Sequence, residues 1–201
     1  MAVSRSEHDQ PRLRPGRPRS EQTRKAVLRA TGELMHEVGL RAMTTEEIAS
    51  RCGASKATIY KWWPNKYAVA IDALLSEMFV ESDDPDTGSA HEDLRLALRG
   101  IMRFYNSPSG RVFAQIVGEA QFDPQIAAEL SDRLVGPRRR LVRTILDRGI
   151  ARGELRADID PEAAIDLVFG PAIYRLVASH APMDDDAADA VVDVAIRGLA
   201  C

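Results

Sequence analysis

The segment SKATIYKWWPNK, residues 55–66, brings together side chains that can bind a polyanion. It contains three of the four lysines of the chain, both tryptophans and Tyr60, although aromatic residues make up only 5% of the sequence. Ammonium and hydroxyl groups at this spacing can bind phosphates and hydrogen-bond to base edges. A buried segment would not contain the lysines and a solvated loop would not contain the tryptophans, so the segment must present two different faces.

A helix from Lys56 to Trp63 would separate these two kinds of side chain. Ile59 and Trp63 are four residues apart and share one face, whereas Lys61 lies about 160° from Trp63 around the helix. We therefore predict that Trp63 packs in the protein while the opposite face stays free to enter a DNA groove. Two orientations remain open for Trp62, toward a phosphate or against the following helix.

Capping signals predict the two helices that come before this one. Ser20 can cap a long amphipathic helix that ends at Gly39. Thr44 and Glu47 have the spacing of a capping box, which predicts a two-turn helix over residues 45–52.

Further signals place the recognition segment after a tight turn. Gly53 ends the preceding helix, Ser55 can cap the next one, and Pro64 stops it. Asn65 can cap a longer helix that runs to about Val80. A long helix, a short helix, a tight turn and a second short helix are the order of a helix-turn-helix.

The rest of the chain also has helical periodicity and no convincing strand. A polar linker occupies residues 81–90, and Asp-Pro pairs at 123–124 and 160–161 mark helix starts. The last two helices are expected over about 161–179 and 185–200. We therefore predict an all-α fold with about nine helices.

Charge is divided unevenly along the chain. Residues 1–70 contain 13 Lys and Arg against 7 Asp and Glu, whereas residues 71–201 contain 14 against 23. A basic N-terminal third is typical of a polyanion-binding module joined to a module of another kind. The chain has no signal-peptide pattern and no membrane-spanning run, and its two cysteines form no disulfide framework, so we expect a cytoplasmic protein without a membrane partner.

Catalytic and metal chemistry is not indicated. The four histidines are far apart, and the nearest approach to a metal site, His180 with the aspartates at 184–186, is more typical of a helix start. The sequence lacks the common nucleophile and phosphate-loop motifs, so we predict no cofactor, no metal and no enzyme activity. The run PRRRLVR at 137–143 could be a second nucleic-acid site, but we favour a solvated helix face.

The segment TTEEIASRCGASKATIYKWWPNKYAVAIDALL resembles the DNA-binding domain of TetR-type (TetR/AcrR) transcriptional regulators. The resemblance covers residues 20–75 and depends on the capped short helix, the turn at 53–56 and the run that follows it. This chain has Ala57 where the family more often has glycine, and Trp63 where it more often has phenylalanine. The C-terminal half is similar to the family mainly in its layout.

The resemblance implies a set of DNA contacts. Thr44, Thr45, Tyr60 and Lys66 would contact phosphates; Ser55, Lys56, Thr58 and Lys61 would face the major groove; Trp62 is a further candidate. The sequence RPGRPR is similar to arms that enter the minor groove, with Arg14, Arg17 and Arg19 as candidates, although a solubilising tail would have the same composition. The implied domains are a basic flexible arm at 1–19, a three-helix helix-turn-helix domain at 20–64 and a helical effector-binding and dimerisation domain at 65–201.

Two further residue sets are predicted in the C-terminal domain. A small-molecule effector pocket would be lined by Met78, Phe79, Met102, Phe104, Tyr105, Phe113, Ile116 and Phe122. A homodimer interface would contain Val168, Phe169, Ala172, Val191, Val192, Ala195 and Leu199.

The function implied is that of a sequence-specific repressor, a homodimer on a palindromic operator, which an unknown small molecule releases from double-stranded DNA. The alternative is a helical small-molecule-binding protein or enzyme with a vestigial helix-turn-helix domain. A third class is an architectural DNA protein without a preferred site.

Overall fold

The computed structural model describes residues 17–78 and 84–200, and these ranges form eleven α-helices and one π-helical turn. The first five helices are α1 (Arg17–Glu37), α2 (Gly39–Ala42), α3 (Thr45–Cys52), α4 (Lys56–Tyr60) and α5 (Lys66–Met78). The others are α6 (Ala90–Tyr105), α7 (Pro108–Ala120), α8 (Pro124–Leu130), the π-helical turn (Ser131–Val135), α9 (Gly136–Ala151), α10 (Pro161–Ala178) and α11 (Asp185–Leu199). Within these ranges the only β-type pairing is an isolated bridge, so the predicted all-α class is confirmed.

The capping predictions for α3 and α4 are confirmed at atomic detail. Thr44 and Glu47 form a complete capping box at the start of α3, and Gly53 ends that helix with a φ of 67°. Ser55 accepts a hydrogen bond from the backbone of Thr58, as an N-cap residue does. These signals act within four residues, which is why the sequence alone predicts the bounds of α3.

Two helix boundaries differ from the prediction. α1 begins at Arg17, so Ser20 lies inside the helix; proline is tolerated in a first helical turn, where its missing N–H has no partner to lose. α4 ends at Tyr60, although the Trp63 N–H still bonds to the Ile59 carbonyl oxygen at 3.0 Å. Lys61 keeps helical backbone angles, and the Trp62 N–H bonds to the Ile59 carbonyl oxygen at 3.0 Å, so the chain tightens after Tyr60 before Pro64 stops it.

Two extra elements raise the number of helices above the predicted nine. Gly39 has a φ of 82°, and the chain then forms the single turn α2, in which Leu40 is buried. A helix is expected to start at Pro124 and to continue through Leu146, with a bend at Gly136-Pro137; the structure divides it by the π-helical turn, where the Gly136 N–H donates to the Ser131 carbonyl oxygen. A Cβ atom at position 136 would lie 3.1 Å from that oxygen, so a glycine fits this turn.

The N-terminal helices pack around α1, which contacts α2, α3, α5 and α7. In the C-terminal half, α6 lies along α11, and α10 packs on both. Asp189 of α11 accepts hydrogen bonds from Arg95 and Arg99 of α6 and ties this pair together. One continuous buried core runs through both halves. None of the helices in the described ranges has both the length and the apolar character to cross a membrane.

Helix α7 joins the two halves. Its Gln115 side chain accepts a hydrogen bond from the backbone N–H of Leu40, and its Glu119 pairs with Arg41 at 2.7 Å. Near its start, Ser109 donates to Glu77 of α5 and lies 3.2 Å from the His36 ring of α1. The DNA-binding helices are therefore anchored to α7 at several separate points.

Candidate nucleic-acid interface and C-terminal cavity

The start of α3 presents one of its two threonines to solvent. The Thr44 side chain is exposed and donates to Glu47 at 2.8 Å while accepting the Glu47 backbone N–H. Thr45 is buried, with 7% of its surface exposed, which corrects the predicted phosphate contact of its side chain. Thr45, the first residue of α3, packs inward because the capping box holds the preceding residue, Thr44, at the surface.

The turn before α4 holds two of the predicted groove-facing hydroxyls. Ser55 Oγ accepts the Thr58 N–H at 3.1 Å and lies 2.9 Å from Thr58 Oγ1. Both side chains therefore stabilise the start of α4, and only their remaining lone pairs and donors are free for a ligand. Lys56 is exposed and forms an ion pair with Glu46 of α3, whose carboxylate raises the pKa of the Lys56 ammonium.

The end of α4 presents an exposed set of side chains next to this turn. Tyr60 is 51% exposed and Trp62 is 40% exposed. Lys61 is exposed and has no hydrogen bond or ion pair with any residue that the structure describes. The Trp62 ring lies 6.2 Å from the Trp63 ring, tilted by 34°, so Trp62 is at the surface beside a buried neighbour.

Trp63 is buried, as predicted, and its indole has a polar partner. The indole Nε1–H donates to Asp72 of α5 at 2.7 Å. Asp72 also accepts a hydrogen bond from Arg133 of the π-helical turn at 3.0 Å and lies 3.7 Å from Arg24 of α1. The residue that anchors α4 is thus connected through Asp72 to the C-terminal half.

Lys66 has a structural role at the end of α2. Its Nζ atom donates to the backbone carbonyl oxygens of Leu40, Arg41 and Met43 at 3.2, 2.9 and 3.2 Å. An ammonium group has three N–H donors, and all three cap the carboxyl end of α2. This capping role was not predicted, because the sequence cannot show carbonyl groups that folding brings from 23–26 residues away, and the phosphate contact of Lys66 stays a prediction.

Most of the basic arm lies outside the residues that the structure describes. Arg14 lies outside the described residues. Arg17 and Arg19 lie in the first turn of α1, and their side chains are also outside the described part.

A cavity of about 720 Å³ lies between α6, α7, α9, α10 and the π-helical turn. Two predicted pocket residues, Tyr105 and Phe113, line it. Four others do not: Met102 and Ile116 are buried elsewhere in the core, Phe104 is partly buried against it, and Phe122 is 89% exposed. Phe79 and the Met78 side chain lie outside the described residues.

The sequence missed most of the cavity lining. The lining that sequence analysis did not propose for the pocket includes Val117 of α7, Leu134 and Arg138 beside the π-helical turn, and Phe169 and Ile173 of α10. Arg138 belongs to the run predicted to be a solvated helix face. Which arginine of that run turns inward depends on the π-helical turn just before it. The Gly136-Pro137 pair indicates a bend at this place but not the direction in which each arginine points.

The predicted dimer-interface residues face mostly into the subunit. Five are buried in its own core: Val168, Ala172, Val192, Ala195 and Leu199. Phe169 and Val191 are partly buried against it. The exposed apolar side chains of α10 and α11 are instead Leu167, Tyr174, Val177 and Val194. Both helices are apolar over more than half of their circumference, so the sequence identified the helices but not the free face.

Metal chemistry finds no support in the described ranges. No three His, Cys, Asp or Glu side chains in residues 17–78 and 84–200 are grouped as metal ligands. Ser109, His36 and Glu77 do meet, but the serine hydroxyl donates to the glutamate rather than to the imidazole. This order differs from that of an activated serine nucleophile, in which the imidazole accepts the serine proton.

Comparisons with known proteins agree with this geometry over nearly the whole chain. Residues 27–73 match bacterial regulatory proteins of the tetR family, and residues 84–195 match the tetracyclin repressor-like C-terminal domain. The chain is 41% identical over 184 residues to the uncharacterized HTH-type transcriptional regulator YdeS of Bacillus subtilis. This alignment covers 92% of this chain and 93% of that protein.

Two further relatives extend the comparison. The DNA-binding transcriptional repressor TetR of Mycobacteroides abscessus is 26% identical over 175 residues, covering 86% of this chain and 91% of that protein. The crystal structure of the TetR family transcription regulator SCO0332 matches with a TM-score of 0.77 and 32% identity, over 90% of this chain and 100% of that chain. The helix-turn-helix domain, the C-terminal domain and the relatives that match over most of their length all indicate the same family. The chain therefore belongs to the TetR family of DNA-binding transcriptional regulators.

Proposed function

We propose that this regulator is a homodimeric repressor that binds a palindromic operator and is released by a small molecule bound in the C-terminal cavity. The observation that carries the proposal is the position of α7 between that cavity and the helix-turn-helix. Phe113 and Val117 line the cavity from one face of α7, whereas Gln115 and Glu119 hold α2 from the other. A ligand that displaces α7 would therefore displace α2 with it.

The π-helical turn supplies a second connection. Leu134 lines the cavity, and the adjacent Arg133 bonds to Asp72, which in turn holds the Trp63 indole. Trp63 anchors α4 in the core, so a change at the turn would reach the DNA-facing helix through two hydrogen bonds. Coupling between two such sites typically amounts to about 1–3 kcal/mol. That is enough to change operator affinity by about 5- to 150-fold.

The proposed dimer uses the exposed apolar stripes of α10 and α11. Leu167, Tyr174 and Val177 lie on one exposed face of α10, and Val194 is exposed on α11. Burying these faces against a second copy would form a four-helix interface and fix the separation of the two α4 helices. A dimer with two-fold symmetry requires a DNA site with the same symmetry, which is why a palindrome is expected.

The proposed DNA surface consists of the exposed groups around α4. Lys61 and Tyr60 are free for a ligand, and Lys56 can exchange its Glu46 partner for a phosphate. Repression is supported by the similarity to the transcriptional repressor of Mycobacteroides abscessus. The proposed place of action is the cytoplasm, and the proposed role includes no catalysis.

Fluorescence anisotropy with the duplex upstream of the protein's own gene tests this proposal. We expect affinity that falls with salt and exceeds the affinity for scrambled DNA by at least about 10³-fold. Lys61→Ala should weaken binding and change the preference among operator variants. Absence of salt-dependent binding would indicate the vestigial-domain alternative, and equal binding to scrambled DNA would indicate an architectural protein.

A further inference from the structure

The cavity contains one positive charge that the described part of the protein leaves uncompensated. Three charged side chains line it: Arg138, Arg139 and Asp166. Arg139 donates to Asp166 and also to Glu162 at 2.6 Å, so its guanidinium is already paired with two carboxylates. Arg138 has no hydrogen bond or ion pair with any residue in 17–78 or 84–200. The charge of its guanidinium is therefore available to a ligand.

The surroundings of Arg138 make this arrangement costly for the free protein. Burial lowers the pKa of Arg138, an effect that the nearby Tyr105 partly opposes. Burial also raises the pKa of Tyr105, so its hydroxyl stays protonated and can donate a hydrogen bond. A half-buried cation without a counter-ion destabilises a fold, and residues that carry such a cost are concentrated at binding sites.

The remaining lining is mostly apolar, with Gln121 and two tyrosines as its polar side chains, and the cavity is large enough for an extended molecule. Side chains from α7, the π-helical turn and α10 provide it, among them Phe113, Val117, Leu134 and Ile173. Arg138 also lines a second cavity of about 360 Å³, which shares Ile101, Val142 and Phe169 with the first. The Arg138 guanidinium thus lies where the two cavities meet. Pockets of about 300–1,000 Å³ with a few polar groups are typical of small-molecule sites.

We infer that the cavity binds an apolar molecule carrying one carboxylate, with the carboxylate on Arg138 and the Tyr105 hydroxyl. The apolar body would lie along α7 and α10. This inference rests on the proposed function, because it names the chemical class of the effector. A planar guanidinium can bind a carboxylate through two parallel hydrogen bonds, and no other charge in the lining is free.

Calorimetric titration of the full-length protein with three matched amphiphiles tests the inference. The probes are dodecanoate, dodecan-1-ol and dodecyltrimethylammonium, each used below its micelle concentration. They share an apolar chain and differ in the charge of the head group. We expect dodecanoate to bind about 10- to 100-fold more tightly than dodecan-1-ol, and the cation to bind most weakly.

Arg138→Met should remove this preference, so that dodecanoate and dodecan-1-ol bind within about threefold of each other. Arg140→Met is the matched control, since Arg140 lies on the same helix, is exposed and does not line the cavity. It should keep the preference. Arg138→Met should also raise the melting temperature of the free protein, because it removes an uncompensated cation, and this second measurement shows that the variant folds.

The outcomes separate this inference from the proposed function. Equal binding of dodecanoate and dodecan-1-ol by the unmodified protein, no binding of dodecanoate, or a preference that survives Arg138→Met would each overturn it. If dodecanoate binds through Arg138 but does not release operator DNA, the ligand class stands and the effector role fails. If DNA binding is specific but dodecanoate does not bind, the regulator stands and the ligand class fails.

Discussion

Replacing Lys66 by methionine separates two roles that the sequence cannot distinguish. The structure shows the ammonium bonded to three backbone carbonyl oxygens at the end of α2. Methionine keeps most of the length and apolar surface of the side chain but removes all three donors. If Lys66 is a helix cap, the substitution should destabilise the fold; if it is a phosphate contact, it should weaken only DNA binding.

The expected magnitude follows from the three hydrogen bonds. Each is worth about 0.5–1.5 kcal/mol net, and water can replace the donor at the exposed Arg41 carbonyl, so we expect a loss of about 2 kcal/mol. For a chain of this size, 1 kcal/mol corresponds to about 2–4 °C, which predicts a melting temperature lower by about 4–8 °C. Circular dichroism measures this shift. DNA affinity is then measured at several salt concentrations, well below the melting temperature.

Lys61→Met is the control on the neighbouring surface. Lys61 is exposed and without a partner among the described residues, so its loss should leave the melting temperature unchanged. It should weaken operator binding and change the preference among operator variants, as expected for a side chain that faces the major groove. An unchanged melting temperature for Lys66→Met, together with a slope of log affinity against log salt reduced by about 1, would refute the capping role and support the phosphate contact.

Two other predictions concern the C-terminal half. The hydrogen bond from Arg99 helps to lower the pKa of the Asp189 carboxyl group from 3.8 to about 2. The ionised carboxylate therefore stabilises the fold above about pH 4, and this stability is lost as the pH falls toward 2. Asp189→Asn should therefore lower the urea midpoint at pH 7 and flatten its decline between pH 4 and 2; parallel curves for both proteins would contradict this. Leu167→Glu with Val194→Glu should convert the dimer into a monomer in light scattering, whereas Phe122→Glu, at an exposed site outside α10 and α11, should not. A double variant that remains dimeric would exclude this interface.

The parts of the fold that the sequence predicted are those set by local chemistry. The capping box at Thr44, the turn at Gly53 and the cap at Ser55 each depend on atoms within a few residues. The burial of Trp63 follows from helical spacing alone. These signals were sufficient to predict the helix-turn-helix and the all-α class.

The features that the sequence did not predict depend on contacts between distant segments of the chain. Lys66 has the composition of a phosphate ligand, but its three carbonyl partners are contributed by the end of α2. Arg138, Arg139 and Arg140 are adjacent and chemically identical, yet one lines a cavity, one pairs with α10 and one is exposed. Only tertiary packing distinguishes them, and an apolar helix face likewise does not show whether a core or a partner will cover it.

The π-helical turn has a consequence for how this segment tolerates change. A π-helical turn contains one residue more than the corresponding α-helical stretch, and one residue corresponds to about 100° of rotation. Deleting one residue from 131–135 would therefore restore a continuous α-helix and rotate α8 relative to α9 by that angle. Arg133 and Leu134 would then no longer face Asp72 and the cavity at the same time. The length of this segment, more than the identity of its residues, therefore sets the relative rotation of the side chains that face the ligand-binding and DNA-binding halves.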